Sequence, residues 1–492
     1  MSNVTKPIVL DESFNAGVEK LHGDLSEIAM ALGAGGSLDS WEDIQYAVRK
    51  GIISKYLLAG DQLNVILSET ASAAVEGTGI TAASVVKDTF IAANGSATGV
   101  FVFTHENGAW HHNGEAVSLT TYGITPTGTA VDGDAIYITV TGTSKVFDVE
   151  GIDEEISVRG DDNHVLSIQM HQVFNSQNFD PAQFLFAVTA AACTAFGWNP
   201  ATGMPAGKYK ITLDHGAYGG GTGQDATYVF TTTQAVPVGG GVRHSVMGEY
   251  QKVKSDVLAG TFTTYGADKV TTVETTITTS EYNSSTDSDA VDLGTATAQN
   301  PTYKIGDYIN FTERQRYGSN RWSTSWLRQY LNSADAELAW TPGTIWSRPI
   351  STSIEGFLHL LDPALKAVLT KVRKRYALQT ADGGGYEDVE DYVTLDTMMD
   401  VFGGKNNNIY EGPVDSNGAV VRSSQMSLWK NINTTQASRI KRNSSNTASI
   451  WWLGSMHPDI ANGVRNVSTS GALDSLSGAY SSSGVVPRLH IS

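Results

Sequence analysis

One cysteine, Cys193, occurs among the 492 residues of the chain. A single thiol excludes an intrachain disulfide, and it excludes a metal site built from several cysteines. Cys193 ends an apolar run that begins at Phe186, and we interpret it as a small buried hydrophobic residue. The fold therefore depends on packing and polar contacts rather than on covalent cross-links.

Long apolar segments are also absent. Residues 1–8 lack the charged start and apolar core of a signal peptide. No window of the sequence approaches the ~20 consecutive apolar residues that cross a bilayer. We therefore expect no membrane insertion and folding in a reducing cytoplasm, with any exterior role requiring release by assembly or lysis.

Basic residues are too few to balance the acidic ones. The chain has 33 lysines and arginines against 51 aspartates and glutamates, and its formal net charge is −18. Such a molecule repels a polyphosphate chain, so we expect no nucleic acid partner. Only 17% of the residues are charged, whereas glycine numbers 50, a balance typical of β structure with uncharged polar loops.

Near the N-terminus, apolar residues recur at intervals of three and four. This spacing predicts an amphipathic helix over residues 10–32, followed by a glycine-rich hinge at residues 33–38. Residues 1–40 are thus interpreted as an anchoring helix and hinge. Two alternatives are open, because the helix can dock on a neighbouring molecule or fold back on the body of its own chain.

Two stretches of the sequence have the residue composition expected of inserted β modules. In residues 69–143, Asn107-Gly108 between alternating apolar runs predicts a hairpin. Residues 190–299 are rich in β-branched residues and glycine, which also favours strands. The remaining residues form a discontinuous main domain, which we assign to residues 41–68, 144–189 and 300–492.

Capping residues mark the helices of that main domain. Ser40 predicts a helix start before Trp41, and Asp362 with Pro363 at the first helical position predicts another. We also expect a buried helix capped by Ser323 and a helix over residues 397–402. Alternating patterns predict strands at residues 62–67 and 145–149.

No recognisable catalytic motif is present. His105, His111 and His112 fall on one hairpin, but adjacent strand residues point to opposite faces, so one face presents only part of a metal site. The acidic run at residues 386–391 is either a calcium site or a solvated surface, and it lacks the central glycine of an EF-hand loop. We expect no enzyme, no cofactor and no bound metal.

The C-terminal part carries a series of aromatic and polar motifs. Its polar loops consist largely of Ser, Asn, Asp, Gly and Tyr, the composition of an adaptable recognition surface. The motifs are Arg-Tyr-Gly-Ser-Asn at 316–320, Trp-Ser-x-Ser-x-Leu-Arg-x-Tyr-Leu-Asn at 322–332, Trp-Trp-Leu-x-Ser at 451–455, Val-Arg-Asn-Val-x-x-x-Gly-Ala-Leu at 464–473 and Gly-Val-x-Pro at 484–487.

This order of motifs resembles a family of phage-borne proteins of gut bacteria. The family's C-terminal domain is similar to the C-type-lectin-like fold of formylglycine-generating enzymes and of retroelement-diversified variable proteins. The family's usual opening is matched by Trp-Glu-Asp-Ile-Gln at 41–45 and Gly-Asp-Gln at 60–62. The resemblance implies an α+β chain with a C-type-lectin-like domain, inserted all-β modules and an N-terminal helix.

By the same resemblance, Trp451, Trp452 and Leu453 lie in a core strand, Arg465 is structural and residues 484–487 form the closing strand. The exposed ligand-binding loops then lie between these elements. They comprise Met456, His457, Asp459, Asn462, Ser468, Asp474, Ser477, Tyr480 and Ser481.

Two departures from the family concern the same region. The family usually reads Leu-Arg-Ser-Pro where this chain has Leu453-Gly454-Ser455-Met456, and its closing strand more often ends in Arg-Pro-Ala than in Val486-Pro487-Arg488. These departures affect the geometry expected after Leu453.

The leading hypothesis is a virion protein made in the bacterial host cytoplasm. It binds other virion proteins through its N-terminal helix and presents the lectin-like domain to a host cell-surface glycan or protein, as a tail fibre or other adhesin. Fibre architecture favours a homo-oligomer such as a trimer. The alternatives are a capsid shell or head-decoration protein whose lectin-like domain makes lattice contacts, and a polysaccharide-degrading enzyme with unrecognised carboxylates.

Overall fold

The computed structural model describes most of the chain after residue 37. The described residues are 38, 40–94, 98–159, 164–180, 184–213, 226–245, 254–268, 271–296, 318–336, 355–432, 435–460 and 462–492. The amphipathic helix predicted over residues 10–32 and most of the hinge lie outside these residues. The anchoring helix therefore stays a prediction.

Helices and strands are both present, at about 19% and 41% of the residues, which confirms the α+β class. The helices are α1 (Trp41–Arg49), α2 (Lys87–Asn94), α3 (Ala190–Phe196), α4 (Lys254–Ala259), α5 (Trp326–Asn332), α6 (Phe357–Leu360), α7 (Pro363–Val368), α8 (Met398–Phe402) and α9 (Ser427–Ile432). Short 3-10 helices occur at Ile53–Lys55, Leu119–Tyr122, Trp322–Thr324, Thr380–Asp382 and Gln436–Arg439. Among the described residues, no helix has both the length and the apolar character needed to cross a bilayer.

The strands are numbered in chain order. They are β1 (Gln62–Glu76), β2 (Ile80–Val85), β3 (Gly99–Glu106), β4 (Ala109–His112), β5 (Glu115–Val117), β6 (Ile124–Gly128), β7 (Ala135–Ile152), β8 (Leu166–Met170), β9 (Ser176–Asn178), β10 (Phe186–Ala187), β11 (Gly207–Leu213), β12 (Ala226–Thr232), β13 (Gly241–His244), β14 (Thr261–Tyr265), β15 (Thr272–Thr278), β16 (Ser280–Glu281), β17 (Val291–Ala296), β18 (Val372–Ala377), β19 (Tyr386–Asp391), β20 (Val393–Thr394), β21 (Lys441–Arg442), β22 (Ala448–Ser449), β23 (Trp451–Met456), β24 (Gly463–Val467), β25 (Leu473–Gly478), β26 (Ser482–Gly484) and β27 (Arg488–Ile491).

The largest sheet has eight strands in the order β20-β27-β8-β7-β3-β4-β5, with β1 also paired to β7. Strands β1 and β7 form one long antiparallel ribbon that extends from Gln62 paired with Asp148 to Glu76 paired with Ala135. The first part of β7 also pairs with β3 and its last part with β8. The ribbon therefore belongs to two packing regions at once.

The buried hydrophobic residues form three clusters. The first draws on residues 44–67, 147–179 and 322–491, the second on residues 185–293 and the third on residues 80–140. The second cluster packs two four-stranded sheets, β10-β13-β14-β15 and β16-β12-β11-β17. Leu185, Phe186 and Val188, which the sequence division placed in the main domain, pack in this second cluster.

Local sequence signals explain several of these elements. Ser40 and Asp43 form a capping box at the start of α1, with Ser40 Oγ accepting from the Asp43 N–H at 3.1 Å. Asn107 and Gly108 adopt left-handed φ values of 51° and 78° between β3 and β4, as a tight hairpin requires. The predicted Ser323 cap is wrong, because Ser325 Oγ accepts from the Arg328 N–H and α5 begins at Trp326.

A five-stranded sheet of order β25-β24-β23-β26-β9 carries the C-terminal motifs. Trp451, Trp452 and Leu453 are fully buried in β23, which confirms their interpretation as a core strand. The closing strand was misplaced, since residues 482–484 form β26 and the chain closes with β27 at Arg488–Ile491. The reason is that β27, not residues 484–487, supplies the hydrogen-bonded neighbour of β8 and β20.

Candidate recognition surface

The candidate surface is the end of the five-stranded sheet at which β23 finishes and β24 begins. Two connections meet there, because residues 457–460 and Asn462 lie between β23 and β24, and residues 479–481 lie between β25 and β26. The Ala479 N–H donates to the Asn462 carbonyl at 2.7 Å. The two connections therefore adjoin, and together with Ser477 they form the surface that we call the tip.

Five of the nine expected ligand-binding residues have exposed or half-buried side chains at the tip. Asp459 is exposed, whereas the other four are half-buried. Ser477 Oγ accepts from Asn466 Nδ2 at 2.5 Å, and the Ser481 N–H donates to the Gly478 carbonyl at 2.8 Å. The five residues that the fold brings together are His457, Asp459, Ser477, Tyr480 and Ser481.

Met456 and Asn462 are also at this end, but the expectation that they are exposed is wrong. Their exposed fractions are 2% and 1%. Strand β23 continues through Met456, which pairs with Val464, so its side chain turns into the core. Asn462 is buried where the two connections of the tip meet.

Ser468 and Asp474 do not lie at the tip. Ser468 begins the turn between β24 and β25, where its N–H donates to the Ala472 carbonyl at 2.9 Å, and Asp474 pairs with Asn466 in β25. The length of β24 separates this turn from the tip by roughly 15 Å, at ~3.3 Å per residue. The nine residues therefore do not form one surface, because the turn between β24 and β25 lies at the opposite end of this hairpin from the tip.

The surroundings of His457 favour its neutral form. Partial burial, and then the Arg465 guanidinium, lower the pKa of His457 below its ordinary value. Its Nδ1 accepts from the Asp459 N–H at 3.2 Å, which leaves the proton on Nε2. The tip thus presents the imidazole of His457 beside the exposed carboxylate of Asp459.

Asn320 fixes the backbone of the tip. Its Nδ2 donates to the carbonyl oxygens of His457, Ile460 and Gly463 at 3.3, 2.9 and 2.9 Å. Asn320 is buried and comes from the Arg-Tyr-Gly-Ser-Asn motif. Although Asn320 ends a motif that the sequence analysis identified, the spacing of that motif does not indicate the three carbonyl groups that Asn320 binds.

We expect Asn320→Ala to loosen the tip without unfolding the domain. The substitution leaves the three carbonyl groups without this donor, and the amides of His457, Gly463 and Ala479 should then exchange hydrogen roughly 10-fold faster. Hydrogen-exchange mass spectrometry measures this change. Asn417→Ala, at an exposed turn, is the control, and unchanged exchange at the tip in Asn320→Ala would contradict the assigned role.

Gly454 stands where the resembling family has arginine. A Cβ at this position would lie 2.9 Å from Cε1 of Tyr376, and the Gly454 N–H donates to the Asp396 carbonyl at 2.7 Å. Any side chain would therefore displace the buried Tyr376 ring. The absence of a side chain at Gly454 therefore lets the backbone of β23 pass close to that ring.

The acidic run at residues 386–391 is neutralised by arginines. Its four carboxylates each accept from a different guanidinium, which satisfies the oxygens that a calcium ion would require. The pairs are Glu387–Arg321, Asp388–Arg375, Glu390–Arg373 and Asp391–Arg328, with nitrogen–oxygen distances of 2.6, 2.7, 2.5 and 2.8 Å.

Two of the hairpin histidines, His105 and His112, contact aromatic residues of the third hydrophobic cluster. His105 Nδ1 lies 3.1 Å from Asp132 Oδ1, and the His112 ring stacks on Phe103 with centroids 4.3 Å apart. His112 is buried and His111 half-buried, as opposite strand faces require. Within the part of the chain that the structure describes, no group of three potential ligands could hold a metal ion.

A cluster of buried ion pairs connects segments that are distant in the sequence. It contains four carboxylates and three cations, and all seven residues are buried. Sequence reasoning missed this cluster because its members lie far apart along the chain. They are Glu150, Glu155, Lys374, Asp396, Asp400, Arg422 and Arg488.

Arg488 lies at the centre of the cluster. Its Nη1 is 3.2 Å from Glu150 and 3.1 Å from Asp396, and its Nη2 is 2.9 Å from Glu155. Lys374 and Arg422 both bind Asp400 on the other side. Burial alone would raise the pKa of Asp400, but Lys374 and then Arg488 hold that pKa well below its usual range.

Glu150 and Asp396 form an acid pair within the cluster. Trp429 Nε1 donates to an oxygen of each residue at 3.0 Å. Complete burial, and then the neighbouring Asp396 carboxylate, raise the pKa of Glu150 well above its usual value. With a proton on Glu150, the other three carboxylates of the cluster would balance its three cations.

The comparisons with known proteins reach only the C-terminal part of the chain. Residues 302–492 match the model of a family described as "Domain of unknown function (DUF6273)". No curated protein and no solved structure matches the chain. The matched segment contains the tip, Asn320 and Arg488, but Glu150 and Glu155, which bind Arg488, come from outside it.

Proposed function

We propose that this chain is a phage virion protein that exposes a C-type-lectin-like domain for attachment to a host cell surface. The observation that supports the proposal most is the arrangement of polar groups at the tip. Five of its side chains, those of His457, Asp459, Ser477, Tyr480 and Ser481, are polar and half-buried or exposed. Its backbone is fixed by buried donors such as Asn320. Adaptable polar groups on a rigid base are the features of a recognition surface.

The chemistry of the tip suits a glycan or a polar protein surface. Tyr480 offers an aromatic ring, Ser477 and Ser481 offer hydroxyl groups and Asp459 offers a carboxylate. These groups exchange hydrogen bonds in both directions, as sugar hydroxyls and peptide groups require. In the same proposal, residues 1–40 attach the chain to other virion proteins, and the assembled form is a homo-oligomer.

Host-cell binding tests this proposal. The double substitution Asp459→Ala and Tyr480→Ala is expected to lower binding of the purified protein to host bacteria by about 10-fold or more, because it removes a charge and the largest ring of the tip. Binding is measured with fluorescently labelled protein and flow cytometry. Thr469→Ala, exposed on the turn at the opposite end of the hairpin, should bind like the wild type.

Equal binding by the double variant and the wild type would contradict attachment through the tip. Electron microscopy of intact particles then distinguishes the alternative. A few copies with the tip outward would agree with an adhesin, whereas hundreds of copies tiling the head would indicate a shell or decoration protein whose loops make lattice contacts.

A further inference from the structure

Tyr386 is an exposed aromatic residue on the hairpin that adjoins the tip. It begins β19 and pairs with Ala377 at the end of β18. Its exposed fraction is 49%. The hairpin reaches the tip region, because Gln379 Nε2 donates to the Pro458 carbonyl at 3.4 Å. A large ring is therefore open to solvent beside the surface proposed for attachment.

The ring is held from one side by a guanidinium group. The Arg375 guanidinium carbon lies 3.5 Å from the ring centroid of Tyr386. Arg375 is buried and is fixed in turn by Asp388, whose two oxygens accept from Nε and Nη2 at 2.7 and 2.8 Å, and by the Gly418 carbonyl at 3.0 Å. The cation covers one face of the ring, so the exposed area belongs to the rest of it.

The surroundings of the ring are polar. Asp388 is partly exposed, and Ser416 and Asn417 are exposed on the turn whose Gly418 carbonyl binds Arg375. One rigid ring among carboxylate, hydroxyl and amide groups does not make the contiguous apolar patch that a membrane or an amphipathic helix requires. It does match a sugar, whose C–H face packs on an aromatic ring while its hydroxyls exchange hydrogen bonds.

Charge narrows the class of sugar. The chain carries a net charge of −18, and Arg375 next to the ring is already paired with Asp388. An anionic polysaccharide would gain no free cation at this position and would be repelled by the chain as a whole. The geometry therefore favours an uncharged glycan.

We propose that Tyr386, backed by the Arg375–Asp388 pair, is the stacking platform for a hexose ring of an uncharged host glycan. This inference rests on the proposed attachment function and names the ligand class of that surface. Tyrosine is suited to the role because it supplies a large contact area with little loss of conformational freedom.

A glycan array carrying immobilised uncharged and anionic bacterial polysaccharides tests the inference with the full-length protein. The wild type is expected to bind at least one uncharged polysaccharide. Tyr386→Ala should lower that affinity by about 10-fold or more, whereas Tyr386→Phe, which keeps the ring, should stay within about 3-fold. Tyr410→Ala is the matched control, since Tyr410 is 39% exposed and also has a cation, Lys405, over its ring at 4.6 Å.

The outcomes separate the inference from the function on which it depends. Wild-type binding that Tyr386→Ala leaves unchanged overturns the inference and leaves the attachment function in place. Failure of the wild type to bind any glycan overturns glycan attachment itself. If Tyr386→Ala melts at a lower temperature than the wild type, the affinity is measured with Tyr386→Leu instead, which keeps an apolar side chain without the ring. The same loss of affinity is expected for this variant.

Discussion

Replacing Arg488 with methionine is expected to destabilise the main domain by about 3–5 kcal/mol. The buried guanidinium binds Glu150, Glu155 and Asp396 at 2.9 to 3.2 Å. Methionine keeps an unbranched apolar side chain but is shorter and has no charge, so the variant leaves the buried carboxylates with two cations instead of three. The loss is large because an unpaired charge in the interior keeps its desolvation cost and loses its attraction.

Urea unfolding followed by tryptophan fluorescence measures this effect. The signal reports the right domain, because five fully buried tryptophans belong to the same hydrophobic cluster, namely Trp322, Trp326, Trp429, Trp451 and Trp452. Arg488→Lys should lose less stability, since lysine keeps the positive charge but not the bidentate geometry of the guanidinium group.

The control for this prediction makes the same change at an exposed position. Arg442 is exposed and donates to the Asn446 carbonyl at 2.9 Å. We expect Arg442→Met to stay within about 0.5 kcal/mol of the wild type. An Arg488→Met protein as stable as the Arg442→Met protein would show that the buried charges contribute little.

Replacing Glu150 with glutamine is expected to change how stability depends on pH. Burial and the Asp396 carboxylate raise the pKa of Glu150 on folding. A group of this kind stabilises the folded state at acid pH, and the contribution is lost as pH rises from the unfolded value of about 4.3 toward the raised folded value. In that window the free energy of unfolding of the wild type should fall by about 1.4 kcal/mol per pH unit through this group alone.

Glutamine cannot titrate, so Glu150→Gln lacks this slope. The stability of the variant relative to the wild type should therefore rise with pH from about pH 5 upward. Denaturation curves at several pH values between about 5 and 9 measure the difference. Glu390→Gln, at a partly exposed ion pair with Arg373, should run parallel to the wild type, and parallel curves for Glu150→Gln as well would mean that Glu150 carries no extra proton.

Short-range signals predicted the elements that local chemistry determines. Ser40 and Asp362 cap helices that begin at the next residue, because each side chain satisfies a backbone N–H of the first turn. The helix expected from Thr397 begins at Met398, because Thr397 is itself the cap. The Asn107-Gly108 hairpin follows from the left-handed backbone that this pair tolerates. The Ser323 cap failed because Ser325, two residues later, offers the same hydroxyl group, and the local sequence does not decide between the two serines.

Long-range contacts could not be predicted from the sequence, for a physical reason. The Arg488–Glu150 pair spans 338 residues, and Asn320 binds carbonyl groups up to 143 residues away. A charged or amide side chain looks the same in a sequence whether water or a buried partner satisfies it. The burial of Met456 was missed similarly, since only its pairing with Val464 shows that β23 continues that far.

The ribbon of β1 and β7 has a mechanical consequence. Both strands pass from the first hydrophobic cluster into the third, and their ladder joins Gln62–Glu76 to Asp148–Ala135. A pull along the ribbon is carried by the covalent backbones of two strands side by side, and their hydrogen bonds, with a register shift between Leu67 and Thr70, hold the two strands together. The third hydrophobic cluster is thus connected to the first by two paired strands, and tension on either cluster passes to the other through both backbones without first extending a flexible linker.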